Sequence, residues 1–150
     1  MNYQSLVRDF AKRTQRNLEL IRRAEEDGEE AYEVTQLINS MLGLIVLPKE
    51  RYYENIPETP LAELRRQGWP EPLLAGAIDA PQNLREVLRM LRNSIAHFNV
   101  EFTEAGGQID GVILTNKHHG RITWRAMLGL ADLEEITRRF IGLIQDQRPA

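Results

Sequence analysis

Apolar residues recur at helical spacing through most of this chain and give way to strand-like runs in one late stretch. Leu6, Val7, Phe10, Leu18 and Ile21 predict one face of a first helix, from about residue 2 to 26, that Asp27-Gly28 closes. Ala31, Val34, Leu37, Ile38, Met41, Leu42 and Ile45 form the stripe of a second helix, about 29 to 46. It ends before Pro48, because a proline lacks the N–H that a helix interior needs. Pro48, Pro57, Pro60, Pro70 and Pro72 then break the pattern between residues 48 and 81 into a long irregular connection, with a short helix at Pro60–Gln67.

A third long helix follows. Its stripe is Leu84, Val87, Leu88, Leu91, Ile95 and Phe98, and Arg89, Asn93 and His97 lie off it. Asn83 with Glu86 three residues later reads as a capping box, and Pro81 suits the turn leading in, so the helix starts near residues 81–84. Beyond it the period changes. Val100-Glu101-Phe102, Ile109–Leu114 and Arg121–Trp124 are short runs of branched and aromatic residues separated by Gly106-Gly107 and by Lys117-His118-His119-Gly120. They predict a small antiparallel meander. Asp132 with Glu135 caps a last helix whose Leu133, Ile136, Phe140, Leu143 and Ile144 face inward, and Arg148-Pro149-Ala150 frays.

Composition narrows the class. A chain of 150 residues that is 42% hydrophobic and 27% charged fits a single globular domain over its whole length. With no cysteine there is neither a disulfide scaffold nor a thiolate metal site, which agrees with a reducing cytoplasm. No apolar run approaches the roughly 20 residues that span a bilayer, so no membrane association is expected. The net charge of −3 is not that of a general polyanion binder. Charge is nonetheless segregated: Arg85, Arg89 and Arg92 surround one stretch, while Glu25, Glu26, Asp27, Glu29 and Glu30 gather in another that reads as a solvated interhelix turn.

The stretch that carries candidate chemistry is Arg92-Asn93-Ser94-Ile95-Ala96-His97. At about 1.5 Å rise per residue, Arg92 and His97 lie roughly 7.5 Å apart along the helix axis, within reach of one phosphate through the long arginine side chain. Asn93 and His97 are i,i+4 neighbours. Histidine titrates near neutrality and suits proton transfer; arginine stays charged and matches phosphate with a planar fork. RNA cleavage through the ribose 2′-hydroxyl needs those functions: a group to take the proton, one to protonate the leaving 5′-oxygen, and a cation for the charge on the non-bridging oxygens. Asn93 either bonds the phosphate or orients the imidazole. Taken by spacing alone, the same residues also read as a solvated helix surface with a C-terminal cation favoured by the helix dipole.

The segment resembles the Arg-x(4–6)-His signature of the HEPN superfamily. Glu33–Ser40, Leu47–Tyr52 and Leu91–Phe102 are similar to segments of short bacterial HEPN-family nucleases, a likeness covering roughly residues 30 to 145. The resemblance implies a mainly α fold: a HEPN-like helical bundle with the long irregular connection and the small β-meander before the C-terminal helix. It implies a homodimer whose two motifs share a cleft, and a metal-independent endoribonuclease, without cofactor, that leaves a 2′,3′-cyclic phosphate. The setting it implies is a toxin–antitoxin or anti-phage system, with RNA as substrate and an antitoxin protein as a further partner. Arg92 and His97 are the signature pair and Asn93 follows the arginine. Arg85, Arg89, Asn99 and Asn39 are candidate RNA contacts. Some relatives carry a tyrosine two residues after the histidine that a partner nucleotidyltransferase modifies; Asn99 stands there instead. Other members bind nucleotides or proteins without cutting RNA, and a noncatalytic binding module is the competing expectation.

Three further features have two readings each. Tyr52, Tyr53 and Trp69 are read as anchors pinning the connection to the core, with base stacking as the alternative. Asn39 interrupts an apolar neighbourhood, as a buried amide holding the motif helix or as a cleft residue. His118 and His119 mark a hairpin tip, since adjacent strand residues point to opposite faces and make a poor metal site.

Overall fold

The computed structural model describes residues 3–46, 50–76, 78 and 82–146. The elements run α1 (Tyr3–Glu26), α2 (Glu33–Val46), α3 (Glu50–Tyr53), α4 (Leu61–Arg66), α5 (Glu71–Ala75), α6 (Leu84–Ala96), β1 (Val100–Ala105), β2 (Gln108–His118), β3 (Arg121–Gly129) and α7 (Leu130–Asp146). The architecture is mainly α with one three-stranded antiparallel sheet ahead of the last helix. Pro48, Pro81 and Arg148-Pro149-Ala150 lie outside the described residues.

The long helices bury most of the stripe positions that their periodicity predicts, with a change of phase in α1; Ala31 precedes α2, and the side chain of Val34 lies outside those described. In α1 the core face is Val7, Ala11, Thr14 and Leu18, and Leu6, one residue or about 100° off that line, is exposed instead of buried. Leu37, Ile38, Met41, Leu44 and Ile45 of α2 meet Leu133, Ile136, Phe140, Ile141 and Ile144 of α7 in the central core. The last helix begins at Leu130, ahead of the predicted cap. Asp132 falls in its first turn, where its carboxylate accepts the backbone N–H of Gly129, while Glu135 binds Arg138 and Arg139.

The connection between α2 and α6 is less irregular than its prolines suggest. Pro60 and Pro70 precede α4 and α5, and Pro72 sits in the first turn of α5, where no N–H is needed. Its aromatic residues are anchors: Tyr53 is wholly buried, and Tyr52 and Trp69 nearly so. The Tyr53 hydroxyl donates to the carbonyl of Ile45 at 2.5 Å. Trp69 lies under the Arg139 guanidinium, 5.3 Å from its ring centre, and the same guanidinium donates to the carbonyl of Gln67.

The meander is longer than the sequence runs that announce it. Val112, Leu114 and Asn116 pair with Leu128, Ala126 and Trp124, so these six share one face, and all six are buried. Trp124 donates its indole N–H to the carbonyl of Leu73. Gly76 accepts the N–H of Arg125, and Ile78 donates to the carbonyl of Thr123, so the end of the connection covers the outer edge of β3. A side chain cannot replace the hydrogen at Gly76, because a Cβ there would stand 2.6 Å from the carbonyl oxygen of Arg125. His118 and His119 do form the hairpin tip, their rings 4.2 Å apart edge to face.

Candidate functional site

The helix that carries the motif is fixed at its start. Asn83 is the N-cap of α6 and its side chain accepts the N–H of Glu86, as the capping pattern predicts; the Glu86 carboxylate reaches back one residue further, to the N–H of Gln82 instead of that of Asn83. Leu84 donates to the carbonyl of Thr59 and Leu61 to that of Gln82, which sews this end to the connection. Arg85 belongs to the same suture. Its Nε donates to the carbonyl of Ile56 at 2.9 Å and its Nη1 meets the Glu58 carboxylate at 2.5 Å. Two of the guanidinium's donors are therefore engaged within the fold, and Arg85 ties α6 to the connection.

Along the body of α6, Leu84, Val87, Leu88, Leu91 and Ile95 are buried against the core. Ser94 is buried too, and its hydroxyl satisfies itself on the carbonyl of Met90, one turn back. The spacing places Arg85, Arg89 and Arg92 along one side of the helix and Asn93 and His97 beside them. Arg89, Arg92 and Asn93 are half-buried; His97 is exposed.

Arg92 is positioned from two directions. Its Nη2 donates to the Oδ1 of Asn93 at 3.0 Å, and its guanidinium carbon stands 5.0 Å from the centre of the Tyr53 ring. Tyr53, itself locked by the bond to Ile45, thus forms a rigid aromatic floor under the cation, a contact worth roughly 0.5–2 kcal/mol. Sequence spacing gives no sign of this support, because Tyr53 comes from α3, on the far side of the connection. The Asn93 side chain accepts from arginine; its backbone carbonyl accepts the N–H of His97. The Asn93 side chain holds the guanidinium through the first of these bonds.

His97 is the C-cap of α6, and the chain leaves the helix by a left-handed residue, Phe98, with φ +60°. Phe98 donates to the carbonyl of Ile95 and Asn99 to that of Ser94, the two bonds of a Schellman turn. The turn explains a departure from the predicted stripe. Phe98 continues the helical spacing in sequence, but its backbone is no longer helical, and its side chain is 91% exposed. Asn99, half-buried, accepts the N–H of Thr115, so the residue after the motif joins helix to sheet through its backbone. Asn39 corrects another expectation. It lies on the outer side of α2, exposed, and the polar pair that the core accepts there is Gln36 with Ser40, 3.2 Å apart.

The site is an exposed shelf at the end of a helix. A cavity of about 350 Å³ elsewhere, between α1, α2 and α7, is lined by Leu18, Leu37, Thr137 and Ile141 among others, and none of its lining residues belongs to α6. Among the described residues no group of three or more histidine or acidic side chains is placed to hold a metal ion, and no helix is long and apolar enough to cross a membrane.

Comparison with known proteins agrees with the motif and the architecture. No curated protein and no solved structure matches the chain. The sequence model of the family described as HEPN pEK499 p136 matches residues 1–150. The whole chain is thus covered by one family, and the Arg-x4-His motif, the mainly α fold and that match together place this protein in the HEPN superfamily.

Proposed function

We propose that this protein is a metal-independent endoribonuclease that cuts RNA through its ribose 2′-hydroxyl. The observation that carries the reading is the contrast between Arg92 and His97. A guanidinium is held against Tyr53 and Asn93, while, five residues on, an imidazole stands free to solvent at the end of the same helix. In this reaction one imidazole takes the proton of the 2′-hydroxyl, and the oxygen attacks the adjacent phosphorus. The P–O5′ bond breaks, and a second acid protonates the leaving 5′-oxygen. The products are a 2′,3′-cyclic phosphate and a 5′-hydroxyl. Arg92 balances the charge that builds on the non-bridging oxygens, and its fixed position spares it reorganisation during the step. Asn93 is a positioning residue for that guanidinium. Arg89, on the same side of the helix, is the remaining candidate for a flanking phosphate.

One protomer provides one histidine. A homodimer that brings two copies of the shelf to a common cleft supplies the complementary acid, and the exposure of His97 leaves its ring available to such a cleft. A toxin or anti-phage role, with an antitoxin partner, follows from the same reading. The competing reading, a noncatalytic binding module, draws on the partners that Arg92 already has.

The test is incubation of the purified protein with labelled total tRNA and with a defined single strand, in the presence of chelator, followed by analysis of the 3′ ends. Cyclic-phosphate ends are the expected result. Intact RNA after incubation with folded, dimeric protein would favour the binding module.

A further inference from the structure

Among the described residues, three helices end in the same turn. At the end of α1, Gly28 donates to the carbonyl of Glu25 and Glu29 to that of Ala24. At the end of α4, Gly68 donates to the carbonyl of Arg65 and Trp69 to that of Leu64. At the end of α6 the corresponding donors are Phe98 and Asn99. The left-handed position is glycine in the first two, with φ +80° and +79°, and phenylalanine only in the third, with φ +60°. Among the described residues the other non-glycine with positive φ is His119, at the hairpin tip.

A bulky L-residue in that conformation is strained by the close approach of its Cβ to the carbonyl oxygen, and glycine would remove the strain. Buried packing can offset such a cost, but here there is none, because the Phe98 side chain is 91% exposed. An exposed ring is itself unfavourable in water. The fold gains from neither feature. Strain of this kind persists at sites where a ligand uses it, and the next residue back is His97.

We infer that Phe98 is a base-stacking platform, binding an unpaired nucleobase of the RNA beside the phosphate that His97 and Arg92 address. This rests on the endoribonuclease reading above and extends it to single-stranded or looped RNA as the substrate. Adjacent α-carbons are 3.8 Å apart, so the ring and the imidazole leave the backbone within the span of one nucleotide. Stacking is tolerant of base identity, since every base has a π face, so the platform grips without reading sequence. It also compensates for a shelf with few free cations, Arg85 being tied to Glu58.

The test uses the full chain and a fluorescent single strand with 2′-O-methyl riboses, which binds but cannot be cut. Phe98→Gly should weaken binding about 5- to 100-fold and raise the melting temperature by about 2–4 °C as the strain is relieved. Phe98→Trp should bind as the wild type does, and Leu20→Ala, which trims an exposed side chain on α1, should change nothing. Equal binding by wild type and Phe98→Gly would overturn the platform while leaving the nuclease reading intact. A Phe98→Gly protein that has changed oligomeric state would overturn it too, because the ring would then be a contact between protein chains. A wild type that neither binds this strand nor cuts an unmodified one would remove both.

Discussion

The two ends of α6 are built to opposite specifications. At its start every device favours the fold: Asn83 caps, Glu86 reaches back to Gln82, and Arg85 is spent on Ile56 and Glu58. At its finish, thirteen residues on, the helix exposes its histidine, leaves by a strained phenylalanine and holds a guanidinium on a tyrosine face. Both ends carry an arginine, yet only the later one has a histidine on the same helix end. The contrast teaches that arginines about two turns apart on one helix can be held in different ways, Arg85 by a carbonyl and a carboxylate, Arg92 by an amide and an aromatic ring.

The comparison breaks most visibly at Arg92. Arg92→Ala should lower the cleavage rate by about 100-fold or more, the usual loss when a charge-stabilising donor is removed, and cost about 1 kcal/mol in stability through the lost contact with Tyr53. Denaturant midpoints beside initial rates separate the two effects. Arg85→Ala should show the reverse pattern: a loss of about 1–2 kcal/mol with the cleavage rate per folded molecule within about twofold of wild type, on the order of 0.4 kcal/mol or less. Should Arg85→Ala abolish cleavage in a folded protein, the two ends of the helix would not be divided as described.

A smaller effect lies at Glu135 on α7. The bidentate bond from Arg138, with a further bond from Arg139, holds its carboxyl below the ordinary glutamate range, against a desolvation that pushes the other way. A carboxylate with a lowered native pKa contributes stability above its unfolded value and loses that contribution as pH falls through the native one. Glu135→Gln should therefore cost up to about 1 kcal/mol at neutral pH, and its melting curve should converge on that of wild type below the ordinary value of 4.5. A gap that stays constant down to acid unfolding would show the ion pair to be neutral.

Much of the fold was legible because periodicity reports burial directly. Most of the stripe positions of α2, α6 and α7 and the three runs of the meander reappear, and the Asn83 and Glu86 cap is where its spacing places it. Legibility failed where a local backbone state overrides side-chain pattern. Phe98 fits the α6 stripe by number, but one left-handed residue turns it into solvent. Asn39 looked buried because its sequence neighbours are apolar, whereas on a helix a residue between two core positions can point outward. The candidate site is legible in sequence only as a motif, Arg92 and His97; what surrounds it is not. Tyr53 meets Arg92 only because the connection folds back, and Arg85 is consumed by Glu58, a partner 27 residues away.

The most direct test of the central claim, that the end of α6 is a catalytic site, is the initial rate of cleavage of a single-stranded RNA by His97→Ala beside wild type, in chelator. His97 is exposed and its side chain makes no hydrogen bond among the described residues, so the variant should melt with wild type. Loss of a proton-transfer group predicts a rate lower by about 100- to 10,000-fold. Equal rates in two equally stable proteins would contradict the account.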